Sequence, residues 1–484
     1  MLIDRISKYK RKISSLLTKD SKELWKHVSN YFSAALFTKF LAFLSIPIFT
    51  RLLGPEGYGG LALFLSITSI MGIIATLGVD TGIRRYCFER DYDEKKFISS
   101  NFLFIIICQA IILLFIVIFK QELINIFSIP FQVIIIGAIT GVLYSYKNIF
   151  HAYWQAKGKS NKVRNYSITS GLLVLIFSII LVLFLGNYLG KVYGTLLAVI
   201  IMSSYLFVQN KNLLTNKFDS RLVKYSLFIG IPIVFNQVAG YILVFFDRLV
   251  INKYYGLNDT GLYSFAYNVA MIMDVVIYAI NAAWVPILFK KLNDGKLEEI
   301  NSYFIQFTKL VLLGAIVLIL FARELIMLLA DDRFHSSLTI VPIIIIGYVF
   351  KYLYSAYSHI EYYHKKTLVL AFFTIIAGIV NIILNMVFVP KFGVLSAAYT
   401  TLVSYVLLFI LHYLYVKYGI KDNTFKVGTI IVPLFYLSIV LILFYAGDFF
   451  IINSIVLFIF KVSLVGLSTL LLFYSEIKMK FINT

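Results

Sequence analysis

Leu368-Val-Leu-Ala-Phe-Phe-Thr-Ile-Ile-Ala-Gly-Ile-Val-Asn-Ile-Ile-Leu-Asn-Met-Val-Phe-Val-Pro390 contains no charged side chain. As an α-helix this stretch is about 34 Å long, enough to cross a hydrocarbon core of roughly 30 Å. A membrane β-strand would alternate apolar and polar residues over about ten positions, whereas this run is continuously apolar. Stretches of the same kind recur at Ser167 to Gly190 and Val427 to Gly447. With 60% hydrophobic and 14% charged residues over 484 positions, the chain has too little charge to cover soluble domains. The expected fold class is an all-α polytopic membrane protein.

Apolar runs bounded by charged or turn-forming clusters predict fourteen spans. They lie at about 28–49, 59–82, 98–119, 131–154, 167–187, 192–210, 223–249, 261–286, 303–323, 338–360, 368–389, 394–416, 427–447 and 452–474. Lys and Arg (44) exceed Asp and Glu (24), but the surplus is not spread as a nucleic-acid surface would be. Alternate connections on one side of the predicted membrane carry most of it, and the opposite side holds only about eight cations. Positive charge marks the cytoplasmic side, so both termini are expected in the cytoplasm and the span count is even. The first 27 residues place Lys8, Lys10, Arg11 and Lys12 among short apolar pairs. They lack the core of a signal peptide and read as an amphipathic segment lying on anionic lipid headgroups. Cys87 and Cys108 form no disulfide framework and no metal-ligand spacing.

The chain repeats itself. Arg51-Leu-Leu-Gly54 with Gly59 matches Lys253-Tyr-Tyr-Gly256 with Gly261, 202 residues later and again between the first and second spans of a half. Lys157-Gly-Lys159-Ser160 matches His364-Lys-Lys366-Thr367 after spans four and ten. Gly190-x-x-x-Gly194 is paired with Gly393-x-x-x-Ala397 at the start of spans six and twelve, where small residues let helices approach. A six-helix duplication keeps the same membrane orientation in both copies, so parallel repeats are expected. The expected organisation is a basic segment 1–27, an N-lobe 28–210 with six spans, a C-lobe 223–416 with six more, a final helix pair 427–474 and a cytoplasmic tail 475–484.

Ile48-Phe-Thr-Arg-Leu-Leu-Gly-Pro-Glu-Gly-Tyr-Gly59, Asp247-Arg-Leu-Val-Ile-Asn-Lys-Tyr-Tyr-Gly256 and Thr260-Gly-Leu-Tyr-Ser-Phe-Ala-Tyr267 carry a family resemblance. Through them the chain resembles the polysaccharide-transport branch of the multidrug/oligosaccharidyl-lipid/polysaccharide (MOP) exporter superfamily, the Wzx-type lipid-linked oligosaccharide flippases. The resemblance implies a bacterial cytoplasmic-membrane protein without enzymatic chemistry. It implies two lobes that alternate around a central cavity and carry an undecaprenyl-pyrophosphate-linked glycan to the outer leaflet, for O-antigen, capsule or another surface polymer. Membrane lipids, a polysaccharide polymerase and chain-length proteins are the implied partners. No cofactor is implied beyond a coupling ion, H+ or Na+.

An ionised side chain inside the hydrocarbon costs roughly 2.5–3.5 kcal/mol on insertion scales, so intramembrane charge marks a cavity or a pair. Lys39 and Lys351 fall near mid-span, Lys147 lies on span four, and Lys309 and Lys461 lie close enough to helix ends to snorkel. Polar and aromatic stripes at intervals of three and four accompany them. Span four carries Thr140, Tyr144, Lys147, His151 and Trp154, and span ten carries Lys351, Tyr354, Ser358 and Tyr362. Span eight carries Tyr263, Tyr267, Asp274, Tyr278 and Asn281, and span seven carries Gln237, Tyr241 and Arg248. Cations suit a pyrophosphate, and tyrosines pack on sugar faces while donating hydroxyls. The expected cavity cations are Lys39, Lys147, Lys351, Arg248 and Arg84, with Tyr144, Tyr241, Tyr267 and Tyr354 as cavity aromatics. The carboxylates Asp274, Asp247 and Asp80 serve either coupling or ion pairing. Asp247-Arg248 reads equally as a local pair, Asp80 and Arg84 as a helix-surface pair, and each aromatic stripe as packing or an interfacial belt. Prolines at 47, 232, 286, 342 and 433 read as hinges or as ordinary membrane-helix residues.

Two rivals share part of this pattern. A cation-coupled drug exporter of the same superfamily needs an acidic cavity, yet span one carries Lys39 and no carboxylate. A membrane polysaccharide polymerase needs a sizeable outward loop, and the longest, around Glu324 to Ser337, is about fourteen residues without a nucleophile–base cluster.

Overall fold

A computed structural model describes residues 19–89, 93–426, 428–450 and 453–482, where the regular structure is helical throughout. The sixteen α-helices are α1 Lys19–Ile74, α2 Val79–Tyr86, α3 Glu94–Ile118, α4 Lys120–Phe127, α5 Phe131–Ala156, α6 Ser160–Leu185, α7 Leu189–Asn210, α8 Ser220–Ala270, α9 Ile272–Asn293, α10 Leu297–Leu320, α11 Ala322–Leu329, α12 Val341–Tyr363, α13 Thr367–Phe392, α14 Val394–Leu414, α15 Gly428–Phe450 and α16 Ser454–Ile482. The expected basic segment 1–27 lies outside the described residues up to position 18.

Among the described residues, twelve continuous helical segments are long and apolar enough to cross a membrane. Two of them, Lys26–Ile74 with 49 residues and Ser220–Asn293 with 74, are far too long for one crossing. Gly54 (φ 64°, ψ −177°) bends the first and Gly256 (φ 84°, ψ −176°) bends the second. Each bend separates two membrane-length stretches, and the twelve segments make the fourteen crossings read from the sequence. Both glycines occupy a backbone region that is essentially closed to residues with a Cβ.

The same duplication is written elsewhere in the backbone. Phe119 and Phe321, again 202 apart, end α3 and α10 and hand over to the eight-residue helices α4 and α11. Gly158 (φ 66°) and Lys365 (φ 59°) hold the same left-handed turn after α5 and α12. There the N–H of Lys159 donates to the Trp154 carbonyl at 2.7 Å, and that of Lys366 to the Glu361 carbonyl at 2.9 Å. The offset rises from 202 to 207 residues across the connection between α11 and α12, where Asp332–Thr339 adds 3-10 turns. One pairing shifts. Gly393 (φ 83°) is a turn glycine whose counterpart is Gly186 (φ 68°). Gly190 and Gly194 lie inside α7, where an added Cβ would strike the Leu181 carbonyl carbon and the Ser178 backbone of α6.

Two predicted spans are interrupted. Span two stops at Ile74, because Leu77 and Gly78 turn with positive φ, so Asp80 and Arg84 belong to the separate helix α2. Span eight breaks at Met271 between α8 and α9. Pro342 sits in the first turn of α12, where no helix hydrogen bond is lost, so a hinge there has no basis. Pro232, Pro286 and Pro433 are interior to their helices.

Packing divides the chain into two compact units, Met1–Leu53 with Phe64–Val234, and Gly54–Leu63 with Phe235–Thr484. In the first, α7 packs on α5 and α6, and α2 and α3 pack on α5 around Phe97, Phe102, Phe150, Trp154 and Tyr166. The connection after α7 is pinned to the start of α3. Thr215 N–H donates to Ser99 Oγ at 2.7 Å, Asp219 N–H donates to Ser100 Oγ at 2.9 Å, and Lys96 Nζ reaches Asp219 at 2.8 Å. Hydrogen bonds from Arg221 and then Lys96 hold the Asp219 carboxyl well below the usual carboxylate range.

In the second unit α14 packs on α12 and α13, and α10 packs on α9, α12, α15 and α16. The last helix pair is therefore attached through α10. Lys461 on α16 is 2% exposed and reaches Glu324 of α11 at 2.7 Å, so it pins that attachment rather than snorkelling. Gly59 and Gly261, the equivalent glycines of the two repeats, pack against each other within this unit. A Cβ on Gly59 would meet the Leu257 carbonyl oxygen, and one on Gly261 the Pro55 carbonyl oxygen.

The outward stripes are apolar. Leu172, Ile176, Ile180 and Leu183 of α6 and Phe372, Ile379, Ile383 and Met386 of α13 are exposed at helical spacing, as lipid contact requires.

Candidate functional site

Breaking the helix at Met271 puts Asp274 in the first turn of α9, where the helix N-terminus favours negative charge. Its Oδ1 accepts from Lys351 Nζ of α12 at 2.7 Å. The two side chains are 35% and 25% exposed, so the pair is reachable rather than sealed. Lys351 Nζ also lies 5.1 Å from the centre of the Tyr348 ring. One turn on, Tyr354 stacks on Tyr405 of α14, with rings 6.5 Å apart and 8° from parallel. The arrangement is a lysine with one carboxylate partner in an aromatic wall, able to exchange that partner for another anion.

Asp247 and Arg248 are adjacent on α8 and point in different directions, as consecutive helical residues must. Asp247 is 0% exposed and accepts from Tyr263 Oη at 2.5 Å, Thr401 Oγ1 at 2.7 Å and Asn385 Nδ2 at 2.9 Å. The Arg248 guanidinium donates to Ser264 Oγ at 3.2 Å and to the Val244 carbonyl. It also lies over the rings of Tyr267, at 4.6 Å, and Phe245, at 5.0 Å. The carboxylate thus takes its hydrogen bonds from hydroxyls and an amide. The expected stripe on span eight splits accordingly. Tyr263 and Tyr267 are fully buried in this network, while Tyr278, beyond the break, is half exposed. Tyr241 stacks on Phe245 at 5.3 Å, and Gln237 is exposed.

In the first unit Lys147 lies on α5 with its Nζ 5.6 Å from the Tyr144 ring centre. A turn further, His151 is buried between Trp154 (5.8 Å) and Tyr166 (5.0 Å), with its Nε2 lacking a hydrogen-bond partner. Lys39 is half-buried on α1. Arg84 is half exposed and pairs with Asp80 at 3.5 Å, the helix-surface pair that the spacing allows. The common turn after α5 and α12 aligns Tyr144 with Lys351 and Lys147 with Tyr354, so the two repeats carry the same lysine and tyrosine in exchanged positions.

The sequence did not single out three participants. Thr401 and Asn385 lie in apolar spans with nothing to mark them as carboxylate donors. Glu361, expected in the cytoplasmic loop 361–367, is fully buried in the last turn of α12 and bonded to His412.

A model of the family described as polysaccharide biosynthesis protein matches residues 24–292, and a MatE model matches residues 232–387. The first match takes in more than half of the chain, and the protein belongs to that polysaccharide biosynthesis family. The resemblance read from Ile48–Gly59 and its partner in the second half holds. The Lsg locus putative protein 1 of Haemophilus influenzae is 20% identical over 66% of this chain and 83% of its own length. The putative O-antigen transporter of Shigella flexneri is 22% identical over 67% of this chain and 80% of its own. Among solved structures, the lipid II flippase MurJ in an inward closed conformation superposes with a TM-score of 0.71 at 16% identity, covering 92% of this chain and 98% of that one. An inward-facing multidrug resistance MATE transporter of the MOP superfamily gives 0.64 at 17% identity, covering 80% and 96%. These likenesses establish the shared fold of a multi-pass membrane protein.

Proposed function

We propose that the chain is a flippase that moves undecaprenyl-pyrophosphate-linked oligosaccharide repeat units from the cytoplasmic to the outer leaflet of the bacterial cytoplasmic membrane by alternating access. The lobes at 28–210 and 223–416 do the alternating, and both termini are cytoplasmic. The observation that carries this reading is Lys351, a cation held inside a membrane helix by one accessible carboxylate and walled by Tyr348, Tyr354 and Tyr405. A pyrophosphate offers several anionic oxygens that compete with Asp274 for the ammonium, and sugars pack on tyrosine faces. Lys147 with Tyr144 and His151 is a second cationic and aromatic cluster, in the other repeat, and Lys39 and Arg248 are further intramembrane cations proposed to serve the same substrate. The family, the name of the Shigella flexneri relative and the flippase fold support the same direction. Coupling to H+ or Na+ is assigned to Asp274 or Asp247, the latter buried and bonded to Asn385, whose own side-chain oxygen is unpartnered. A polymerase and chain-length proteins would receive the product.

Transfer of a fluorescent undecaprenyl-pyrophosphate oligosaccharide across proteoliposomes tests the proposal. Lys351→Glu sets two carboxylates against each other and is expected to lower transfer at least 100-fold, equivalent to about 2.7 kcal/mol. Lys39→Glu and Lys147→Glu are expected to lower it about tenfold each. A multidrug exporter is the second reading, favoured by the MatE match over residues 232–387. It predicts no lipid transfer by the native protein alongside efflux of an organic cation.

A further inference from the structure

Glu361 and His412 are each 0% exposed, and His412 Nδ1 lies 2.8 Å from Glu361 Oε1. Each also has a second polar atom, Glu361 Oε2 and His412 Nε2, that is buried and without a hydrogen-bond partner. As a purely structural element this is a poor choice. A buried acid–base pair recovers its desolvation cost only when its remaining lone pairs and protons are satisfied, and an apolar pair of similar volume would serve packing as well.

The surroundings set what each protonation state of the pair costs. Glu361 lies in the last turn of α12, and its own carbonyl accepts from the Lys366 N–H. His412 lies near the end of α14, with its ring edge-on to Phe373 of α13 at 5.2 Å and nearly parallel to Tyr354 of α12 at 5.6 Å. The titratable groups packed round the pair are Tyr354, then Tyr405 of α14 stacked on it, and Tyr415 of the following segment across Phe373. Lys351, paired with Asp274 of α9, lies ten residues before Glu361 on α12. With one shared proton the pair is neutral, either as carboxylate and imidazolium or as acid and imidazole. A second proton gives acid plus imidazolium and a net charge of +1 in a low-dielectric site, which the neighbouring phenols do not neutralise.

We propose that Glu361–His412 is a proton-binding dyad at the cytoplasmic end of α12 and α14. It accepts a proton at the unpartnered Glu361 Oε2 or His412 Nε2 and returns it by the same atoms. No bond other than N–H and O–H is made or broken. The charge so added lies one aromatic layer from Lys351, through Tyr354, and disfavours a second cation there unless an anion is bound. Protonation and anion occupancy are therefore linked. The dyad itself does not depend on the transport reading, but this linkage does.

The test uses the full-length protein in lipid. Infrared difference spectra across a pH titration are expected to show one carboxyl band that disappears in Glu361→Gln and shifts in His412→Gln. Lipid-linked oligosaccharide transfer by the native protein is expected to change at least fivefold over the same pH interval and to be flat in Glu361→Gln. Asp274→Asn is expected to retain the carboxyl band. If the native protein shows no carboxyl band removed by Glu361→Gln, the dyad is overturned without recourse to any variant's transport. If the band is present and no lipid-linked oligosaccharide moves, the dyad stands and the transport reading falls. If transfer in Glu361→Gln keeps the native pH profile, the linkage is wrong.

Discussion

Gly261→Ala is expected to cost the protein about 1–3 kcal/mol, and Gly261→Val to prevent its accumulation in the membrane. The reason is geometric. A Cβ at this position would overlap the Pro55 carbonyl oxygen and lie 3.0 Å from the Gly59 amide nitrogen, so backbone rather than a side-chain tip would have to move. Gly59→Ala meets the Leu257 carbonyl in the reciprocal way and should behave alike. Gly240→Ala on the same helix is the control. Nothing lies within 4 Å of its added Cβ, and alanine favours a helix by roughly 0.5–1 kcal/mol over glycine. Thermal unfolding in a fixed detergent reads the difference, and equal melting temperatures for Gly261→Ala and Gly240→Ala would show that the two helix starts do not depend on close approach.

The second large effect concerns Asp247. Asp247→Ala removes the acceptor shared by Tyr263, Thr401 and Asn385 and strands two buried hydroxyls and one Asn385 N–H, the other Asn385 N–H keeping the Asn381 carbonyl. At about 1–3 kcal/mol for each stranded group, a total of roughly 3–5 kcal/mol is expected after partial rearrangement. Asp247→Asn separates charge from hydrogen bonding. It keeps an acceptor for two of the donors, so most of the stability should return while Arg248 loses a nearby anion. A melting temperature for Asp247→Ala within a degree or two of the native value would mean that the hydroxyls and the amide find other acceptors.

Much of the fold was legible because the bilayer imposes a simple rule. A segment such as Leu368–Pro390 has one way to bury its backbone polar groups, and its length is fixed by the membrane. The duplication was legible for a related reason: Gly54 and Gly256 adopt a conformation that other residues resist, so the sequence had to keep glycine in both places. The breaks at Leu77–Gly78 and Met271 escaped because apolar composition continues through them, and nothing in hydropathy distinguishes a bent helix from two. Of the site, the costly charges Lys351 and Asp274 could be read, though not that they face each other across 77 residues of sequence. Glu361 was misplaced because a carboxylate at a span's edge next to Lys365 and Lys366 looks like loop. Its burial depends on His412, 51 residues away. Asn385 and Thr401 have no charge to betray them.

The Lys351–Asp274 pair also bears on how the chain is made. Synthesis delivers Asp274 to the membrane 77 residues before Lys351, so each enters on its own helix with its charge uncompensated. Each helix must then outweigh a penalty of roughly 2.5–3.5 kcal/mol from its own apolar residues, and α12 opens with the run Val341-Pro-Ile-Ile-Ile-Ile346. The bond that later holds the two together can form only after both are lodged side by side. Until then α9 holds its carboxylate in the bilayer without the ammonium that later pairs with it.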